Sequence, residues 1–262
     1  MPEKNNYILL TFDVEEFDIS LDYKFTIAPQ QQMEVGSRGL NALLPILNST
    51  NTECTLFTTA NFALHHQQVM QQLSARHEIG SHTFYHGTFK EDDLAASKQA
   101  LENICGKKVT GLRMPRMRPV NMEAVKAAGY FYDSSINPTW LPGRYNYTHL
   151  PRNIYNEKAV WRLPASVTPG LRIPLFWLSF KNFPYAVFKK LALHTLHKDG
   201  YLNLYFHPWE FTDINGFNLP AYVKKDCGQP LLDKLQRLID DLKKEGECIS
   251  IERYLQLVPP ST

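Results

Sequence analysis

The sequence has few cysteines and no cysteine motif. Its four cysteines, Cys54, Cys105, Cys227 and Cys248, are scattered along 262 residues without a Cys-x-x-Cys pair. This spacing favours neither a zinc ribbon nor a disulfide framework. We therefore expect four reduced thiols with structural roles.

Long hydrophobic runs are also missing. No segment approaches the roughly 20 apolar residues that a membrane-spanning helix needs. The first residues, MPEKNN, lack the basic and apolar regions of a secretion signal. We expect no transmembrane segment and a cytoplasmic protein, acting free or at the inner face of the membrane. Nothing in the sequence indicates an oligomeric state.

The chain has enough apolar residues for one large core. Hydrophobic residues make up 44% of the sequence, and no stretch has the composition of an interdomain linker. A chain of this length suits one barrel-sized unit or two small ones. We predict a single domain over residues 1–262.

Charge is unevenly distributed, although the net charge is only +2. Residues 1–106 have 6 Lys/Arg and 13 Asp/Glu, residues 107–198 have 15 and 3, and residues 199–262 have 7 and 10. The basic middle region, with Arg144, Arg152 and Arg172, could attract phosphate or an acidic sugar, which we favour over nucleic acid. Equally, its arginines could simply neutralise the acidic first third across the fold.

Short apolar runs alternate with helical patterns, which predicts an α/β fold with a largely parallel sheet. Strands are expected near residues 7–12, 54–58, 77–80, 110–113, 130–133, 160–165, 202–206 and 248–251. Helices are expected near 38–49, 61–74, 91–105, 121–128, 184–198 and 230–244. Residues 17–37 and 134–159 show no clean periodicity and are predicted to be long loops at the carboxyl ends of strands, where such folds carry their sites.

Acidic residues cluster directly behind the first predicted strand, in TFDVEEFD at 11–18. Asp13 and Glu15 are two apart, so they lie on one side of an extended backbone and can point together into a site. The alternative is that these carboxylates mark the polar exit of a strand into a solvated loop.

Histidines and an arginine follow other predicted strands. His82 and His86 are four apart, a separation that allows two imidazoles to bind one metal ion if the segment turns. By itself this spacing is a weak signal. The reading His-Glu-x-x-His for a protease fails, because Ser81 stands where the second histidine belongs. Arg113 and His207 also follow strands, and parallel strand ends converge on one face.

In these ordered motifs the sequence resembles the polysaccharide deacetylase family, metal-dependent carbohydrate esterases and amidases that remove N-acetyl or O-acetyl groups from sugars. The motifs are TFDVEE (11–16), SHTFYH (81–86), RMPR (113–116), YDSSINP (132–138) and LYFHPWE (204–210), and they span roughly three quarters of the chain. The DVE and HPWE elements are similar to the branch that acts in surface-polysaccharide and O-antigen biosynthesis. The resemblance implies a distorted (β/α) barrel, expected to be seven-stranded, with long loops at the carboxyl ends of its strands.

The resemblance also implies a divalent metal ion. The family's second metal-binding aspartate is replaced by Val14, which cannot bind a metal, so the ligand carboxylate is expected at Glu15, with His82 and His86 completing the set. Glu16 and Asp18 are the competing carboxylates. The expected ion is Zn²⁺, with Co²⁺ or Ni²⁺ as alternatives.

Catalytic roles follow from the same resemblance. Asp13 is expected to be the general base and His207 the general acid. Arg113 is expected to pair with Asp13, and the backbone N–H of Arg116 to donate to the oxyanion. Asp133 is expected to orient His207, or alternatively to cap the turn that follows it. Trp140 and Trp209 could line the sugar site, although a tryptophan is more often part of the core.

The expected function is metal-dependent N-deacetylation of a sugar or glycan intermediate in surface-polysaccharide biosynthesis. O-deacetylation stays open. A lipid-linked or nucleotide-linked substrate would use the basic middle region. Two alternatives remain: an amidohydrolase of a non-sugar amide, such as a cyclic ureide or formamide, and a non-catalytic glycan-binding protein whose metal site has degenerated.

Overall fold

The structure is a computed structural model that describes residues 5–258. Over this range, no helix combines the length and the apolar character required to cross a membrane.

Seven parallel strands form the centre of the fold. Including these seven, the strands of residues 5–258 are β1 (Tyr7–Val14), β2 (Thr55–Thr58), β3 (Glu78–Ser81), β4 (Gly111–Leu112), β5 (Tyr132–Asp133), β6 (Trp140–Leu141), β7 (Tyr145–Asn146), β8 (Tyr155–Glu157), β9 (Val160–Arg162), β10 (Tyr201–Phe206) and β11 (Glu247–Cys248). Neighbouring strands run in the order β10-β1-β2-β3-β4-β5-β9, and each adjacent pair is parallel. An antiparallel β8 extends the edge at β9, β11 pairs with the start of β1, and β6 and β7 form a separate hairpin.

The sheet is curled so that its two ends approach each other. The segment after β9 reaches β10, where Ser166 N–H donates to the carbonyl of Asn203 at 2.9 Å. Each of the eight predicted strands overlaps an observed one. The predicted distorted (β/α) barrel is therefore confirmed, and the seven parallel neighbours correspond to the expected strand number, with β8 and β11 as additions.

Helices cover the outside of the curled sheet. They are α1 (Pro29–Ser49), α2 (Ala60–His65), α3 (Gln67–Ser74), α4 (Asp93–Cys105), α5 (Met122–Ala127), α6 (Trp177–Asn182), α7 (Tyr185–Asp199), α8 (Ala221–Lys224), α9 (Gln229–Leu242) and α10 (Ile251–Leu257). Short 3-10 helices lie at Ile19–Tyr23, Pro115–Met117 and Pro208–Phe211. The apolar residues Leu231, Leu235, Leu238, Ile239 and Leu242 of α9 are buried.

The prediction that residues 17–37 form one long loop is wrong. Helix α1 begins at Pro29, eight residues before the predicted loop ends, and proline suits a first helical turn. The segment QQQME (30–34) contains no apolar periodicity, so the hydrophobic pattern could not predict that it is helical. The second predicted loop, 134–159, contains the β6–β7 hairpin and β8.

Two glycines bring α1 against the segments that carry candidate site residues. A Cβ atom on Gly36 would lie 2.4 Å from the carbonyl oxygen of Glu15, and one on Gly39 would lie 2.0 Å from that of Pro208. Side chains at either position would push the helix outward. The glycines, which resemble helix breakers in the sequence, therefore allow α1 to hold the loops after β1 and β10 in place.

We expect Gly39→Ala to lower the free energy of unfolding by about 1–3 kcal/mol, because the added methyl overlaps the Pro208 backbone, which cannot rotate away. Urea unfolding measures this change. The matched control is Gly216→Ala, whose Cβ would meet nothing within 4 Å. Equal unfolding free energies for the two variants would contradict the close packing of α1 on Pro208.

Candidate metal centre and active site

The structure brings Glu15, His82 and His86 together at the carboxyl ends of neighbouring strands. Glu15 follows β1 directly, His82 follows β3 directly, and His86 lies in the loop beyond. The Glu15 Oε2 atom is 3.1 Å from His82 Nε2 and 2.9 Å from His86 Nε2. All three side chains are buried, and their ligand-type atoms lie within 4.8 Å of one another.

Strand alternation explains the acidic pair. Val14 is fully buried in the hydrophobic core, whereas Asp13 and Glu15, one residue to either side, line the same cavity. Because successive side chains of a strand point to opposite faces, a carboxylate at position 14 would lie in the core. The valine therefore belongs to the packing face, and the acids belong to the site.

Hydrogen bonds fix which nitrogen of each histidine faces Glu15. His82 Nδ1 lies 2.7 Å from the carbonyl oxygen of Arg113, and His86 Nδ1 lies 2.5 Å from Asp18 Oδ1. Because a carbonyl can only accept, His82 Nδ1 carries the proton, and the carboxylate of Asp18 favours the same tautomer at His86. In the neutral form of each ring, the Nε2 lone pair is then directed at Glu15, as in histidines that bind metal ions.

This donor set fits a divalent cation. Both Nε2 atoms lie within about 3 Å of the carboxylate, an approach that is favourable only with positive charge among the three groups, from a bound cation or from protons on the rings. Burial lowers the pKa of His86, but the negative charges of Glu15 and Asp18 outweigh burial and raise it to about 10. Burial opposes ionisation of Glu15, yet His86, His207 and His82 hold its pKa well below the usual value. One carboxylate and two imidazoles, with room for further ligands, suit Zn²⁺.

The two competing carboxylates are engaged by other groups. Glu16 accepts hydrogen bonds from the Thr59 hydroxyl (2.8 Å) and from Asn61 Nδ2 (2.6 Å). Asp18 binds His86 Nδ1 and also pairs with Arg116 at 2.9 Å. Asp18 thus lies behind a candidate ligand, where it orients the imidazole ring.

Asp13 forms a buried ion pair with Arg113. The Arg113 side chain is fully buried and donates from Nη1 to Asp13 Oδ1 and to Thr11 Oγ1, both at 2.7 Å. Its other guanidinium nitrogens donate to the carbonyl and hydroxyl of Ser134 at 3.2 and 3.0 Å. These bonds leave Asp13 Oδ2 directed at the cavity.

His207 lies across the cavity from the metal-type ligands. Its Nε2 is 3.9 Å from Asp13 Oδ2, and its Nδ1 is 3.1 Å from Glu210 Oε1. The ring stacks on Trp209 and meets Trp177 edge-on, with centroid distances of 4.9 and 5.1 Å. Burial lowers the pKa of His207, but Glu15, Glu210 and Asp13 together raise it above its usual value.

Asp133 does not contact His207, contrary to the expectation that it orients this residue. It is fully buried, pairs with Arg162 at 2.9 Å and accepts from the Ser135 N–H at 3.1 Å. The bond to Ser135 corresponds to the turn-capping alternative. The carboxylate beside His207 is Glu210, three residues later in the same motif, which our reading of the sequence missed.

Arg116 lies in a left-handed backbone turn. Its φ is 56° and that of Met117 is 53°, a conformation that costs a non-glycine residue of order 1–3 kcal/mol. The turn places the Arg116 side chain over the cavity, where it pairs with Asp18 and Asp22 at 2.9 Å each. The strained turn is adjacent to the site.

Of the three arginines considered for phosphate binding, Arg144 lines the cavity and donates to Asp22 at 3.1 Å. Arg152 pairs with Asp199, and Arg172 donates to the carbonyls of Pro138 and Leu150. Arg152 and Arg172 therefore stabilise loops away from this site. The pairs formed by Arg113, Arg116 and Arg144 with acids of the first third match the charge-neutralising alternative.

Besides the expected residues, the cavity contains side chains that the sequence reading did not assign to it. The additional lining residues are Ile19, Asp22, Met117, Tyr145, Trp177 and Tyr205. Trp209 also lines it and donates from Nε1 to Glu15 Oε1 at 3.0 Å. Trp140, in contrast, is 64% exposed.

Comparison with family sequence models gives a match to polysaccharide deacetylases over residues 1–130. This range contains the first three motifs and both histidines of the triad. The match covers just under half of the 262 residues and marks a similarity to that family. A comparison with curated proteins found no match.

Solved structures with the same fold include a probable polysaccharide deacetylase from Pseudomonas aeruginosa PAO1, with 15% identity, a TM-score of 0.69, and coverage of 100% of this chain and 95% of that chain. Puue allantoinase has 17% identity, a TM-score of 0.68, and coverage of 100% and 94%. A pseudoenzyme of the CE4 family (carbohydrate esterase family 4) from Bacillus anthracis has 15% identity, a TM-score of 0.53, and coverage of 97% of this chain and 66% of that chain. Identities this low establish the shared fold alone.

We expect Asp18→Asn to weaken Zn²⁺ binding about 10- to 100-fold, because His86 loses the carboxylate that fixes its tautomer. Calorimetric titration of the metal-stripped protein with Zn²⁺ measures the affinity. Glu16→Gln is the matched control, since it removes a neighbouring buried charge that contacts neither histidine. Equal affinities of Asp18→Asn and the wild type would contradict the role given to Asp18.

Proposed function

We propose that this protein is a metal-dependent hydrolase that removes an N-acetyl group from a sugar or glycan. The observation that carries the proposal is the convergence of the Glu15, His82 and His86 triad with Asp13 and His207 around one cavity. Zn²⁺ is the preferred ion, and Co²⁺ and Ni²⁺ are the alternatives.

The chain supplies a base and an acid in suitable positions. When bound, a divalent ion would polarise the acetyl carbonyl and acidify a water molecule. Asp13 Oδ2 would accept the proton of the attacking water, while Arg113 holds Oδ1 and orients the carboxylate. His207 Nε2, 3.9 Å from Asp13 Oδ2, would donate a proton to the departing amine, which leaves poorly when unprotonated.

A backbone donor would complete the site. The turn at residues 115–118 uses the N–H groups of Met117 and Arg118 for its own hydrogen bonds. We assign the N–H of Arg116 to the oxyanion that forms on the acetyl group. One such donor is typically worth roughly 3 kcal/mol of transition-state stabilisation. Because this contact would use the backbone, the Arg116 side chain can stay paired with Asp18 and Asp22.

The substrate is proposed to be an intermediate of surface-polysaccharide biosynthesis, with lipid-linked or nucleotide-linked phosphate as an option. The cavity has a volume of about 40 Å³, room for only a few water molecules. A sugar therefore needs the bridge from Asp22 to Arg116 and Arg144 to open. A phosphate or carboxylate of the substrate would replace Asp22 on these two arginines.

A second candidate is hydrolysis of a non-sugar amide such as a cyclic ureide. The fold similarity to an allantoinase favours testing it. The non-catalytic alternative gains interest from the pseudoenzyme with the same fold. Against it, this chain keeps a triad, a paired acid and a histidine in one cavity.

We expect the zinc-loaded protein to release acetate from N-acetylhexosamine compounds, and Asp13→Asn to lower kcat by about 10²- to 10⁴-fold, because the water loses its proton acceptor. Acetate release with and without a chelator measures both effects. Asp240→Asn, an exposed change on α9, is the control. Hydrolysis of cyclic ureides without acetate release would favour the second candidate, and glycan binding without hydrolysis the third.

We expect Arg144→Ala to raise KM about tenfold for a phosphate-bearing acetylated sugar but not for its neutral analogue, because a charged hydrogen bond to the substrate is lost only with the former. Steady-state kinetics on the matched pair of substrates measures this difference. Arg237→Ala, on the outer face of α9, serves as control. Equal effects on both substrates would remove phosphate recognition from the proposal.

A further inference from the structure

A lysine and a glutamate are completely buried behind His207. Lys181 in α6 and Glu210 in the 3-10 helix Pro208–Phe211 both have 0% exposure, and Lys181 Nζ is 3.2 Å from Glu210 Oε2. The ammonium also donates to the carbonyl of Val223 at 2.8 Å and lies 5.7 Å from the ring centroids of Trp177 and Trp209. Neither residue touches the triad of metal-type ligands.

Glu210 divides its two oxygens between His207 and Lys181. Oε1 accepts from the His207 backbone N–H at 2.8 Å and lies 3.1 Å from His207 Nδ1. Oε2 has Lys181 as its ionic partner. A carboxylate at this place favours a proton on Nδ1, which leaves Nε2 as the nitrogen that exchanges a proton with the cavity.

The packing around the imidazole suits a fixed orientation. Trp209 covers one face of the ring and Trp177 approaches its edge. Because Glu210 anchors both the backbone and the ring of the same residue, rotation of the side chain would break a buried hydrogen bond without offering another partner.

A contribution to folding stability does not by itself explain the buried ion pair of Lys181 and Glu210. A buried ion pair generally contributes no more than well-packed apolar residues of the same size, since desolvation of the two charges offsets their attraction. Its position behind the histidine of the cavity gives a stronger reason. Asp133, the acid expected there from the sequence, is occupied with Arg162 and Ser135.

We propose that Glu210 and Lys181 are positioning residues that set the tautomer and the proton affinity of His207. Glu210 holds the Nδ1 proton and stabilises the imidazolium. Lys181 partly neutralises Glu210 and so limits how strongly the imidazole retains its proton. The inference deepens the proposed function, on which its kinetic consequence rests, whereas its structural core concerns His207 alone.

Because Glu210 and Lys181 carry opposite charges, we expect their replacement to shift the pKa of His207 in opposite directions. The ionisable groups that face His207 are Asp13 in β1, Glu15 directly after β1, Tyr205 in β10, and Glu210 with Lys181 behind it. Removing the negative charge of Glu210 destabilises the imidazolium and lowers the pKa of His207. Removing the positive charge of Lys181 leaves Glu210 uncompensated and raises it.

The test is a pH titration of His207 by nitrogen-15 NMR in the zinc-loaded full chain, with His207→Gln used to assign the signal. We expect Glu210→Gln to lower the pKa of His207 and Lys181→Met to raise it, each by about one unit, a tenfold change in proton affinity. Glu210→Gln also weakens the preference for a proton on Nδ1. Unchanged pKa values and tautomers in both variants would overturn the proposal.

The double variant Glu210→Gln/Lys181→Met guards against failure to fold. It replaces two buried charges with neutral side chains of similar size, so we expect a melting temperature near that of the wild type and a low pKa of His207, as in Glu210→Gln. A wild-type titration in the folded double variant would show that the pair is purely structural and would contradict the inference.

Kinetics separates this inference from the proposed function. If His207 is the general acid, the basic limb of the kcat/KM profile shifts to lower pH in Glu210→Gln and to higher pH in Lys181→Met, with little change in KM. NMR shifts in a protein that hydrolyses no acetamide would support the positioning role and reject deacetylation. A working deacetylase whose His207 titrates identically in every variant would support the proposed function and reject the positioning role of Glu210 and Lys181.

Discussion

The candidate site depends on the close approach of the Glu15 carboxylate to the Nε2 atoms of His82 and His86. The approach is stable only with positive charge present, because both Nδ1 atoms are held by acceptors, the Arg113 carbonyl and Asp18. The parallel sheet creates it by ending β1 and β3 at the same edge. Helix α1 then fixes the Glu15 backbone through the contact that Gly36 permits.

A second layer of buried charged side chains lies behind the candidate metal ligands and the proposed base and acid. Arg113 holds Asp13, Asp18 holds His86, and Glu210 holds His207. Each of these acids or bases is desolvated, so the hydrogen bonds and ion pairs that satisfy it are stronger than they would be in water. Together, the three contacts hold Asp13, His86 and His207 in fixed orientations around one cavity.

Much of this arrangement was predictable from the sequence. Strand alternation correctly separated Val14 from Asp13 and Glu15, and the order of motifs indicated which strand ends converge. The sequence could not reveal that Asp133 faces Arg162, since their pairing depends on how β5 meets β9. The start of α1 was missed because a polar helix whose packing relies on glycines has no hydrophobic period. Glu210 is the last residue of the LYFHPWE motif, but its contact with His207 depends on the 3-10 turn that brings the two side chains together.

The proposed metal centre is tested most directly by a crystal structure of the protein grown with Zn²⁺, with anomalous scattering measured at the zinc edge. We expect one strong anomalous peak among Glu15, His82 and His86, with Asp13 and His207 facing it across the cavity. A protein that crystallises at saturating zinc with no peak there, or with zinc bound by other residues, would contradict the proposed metal centre.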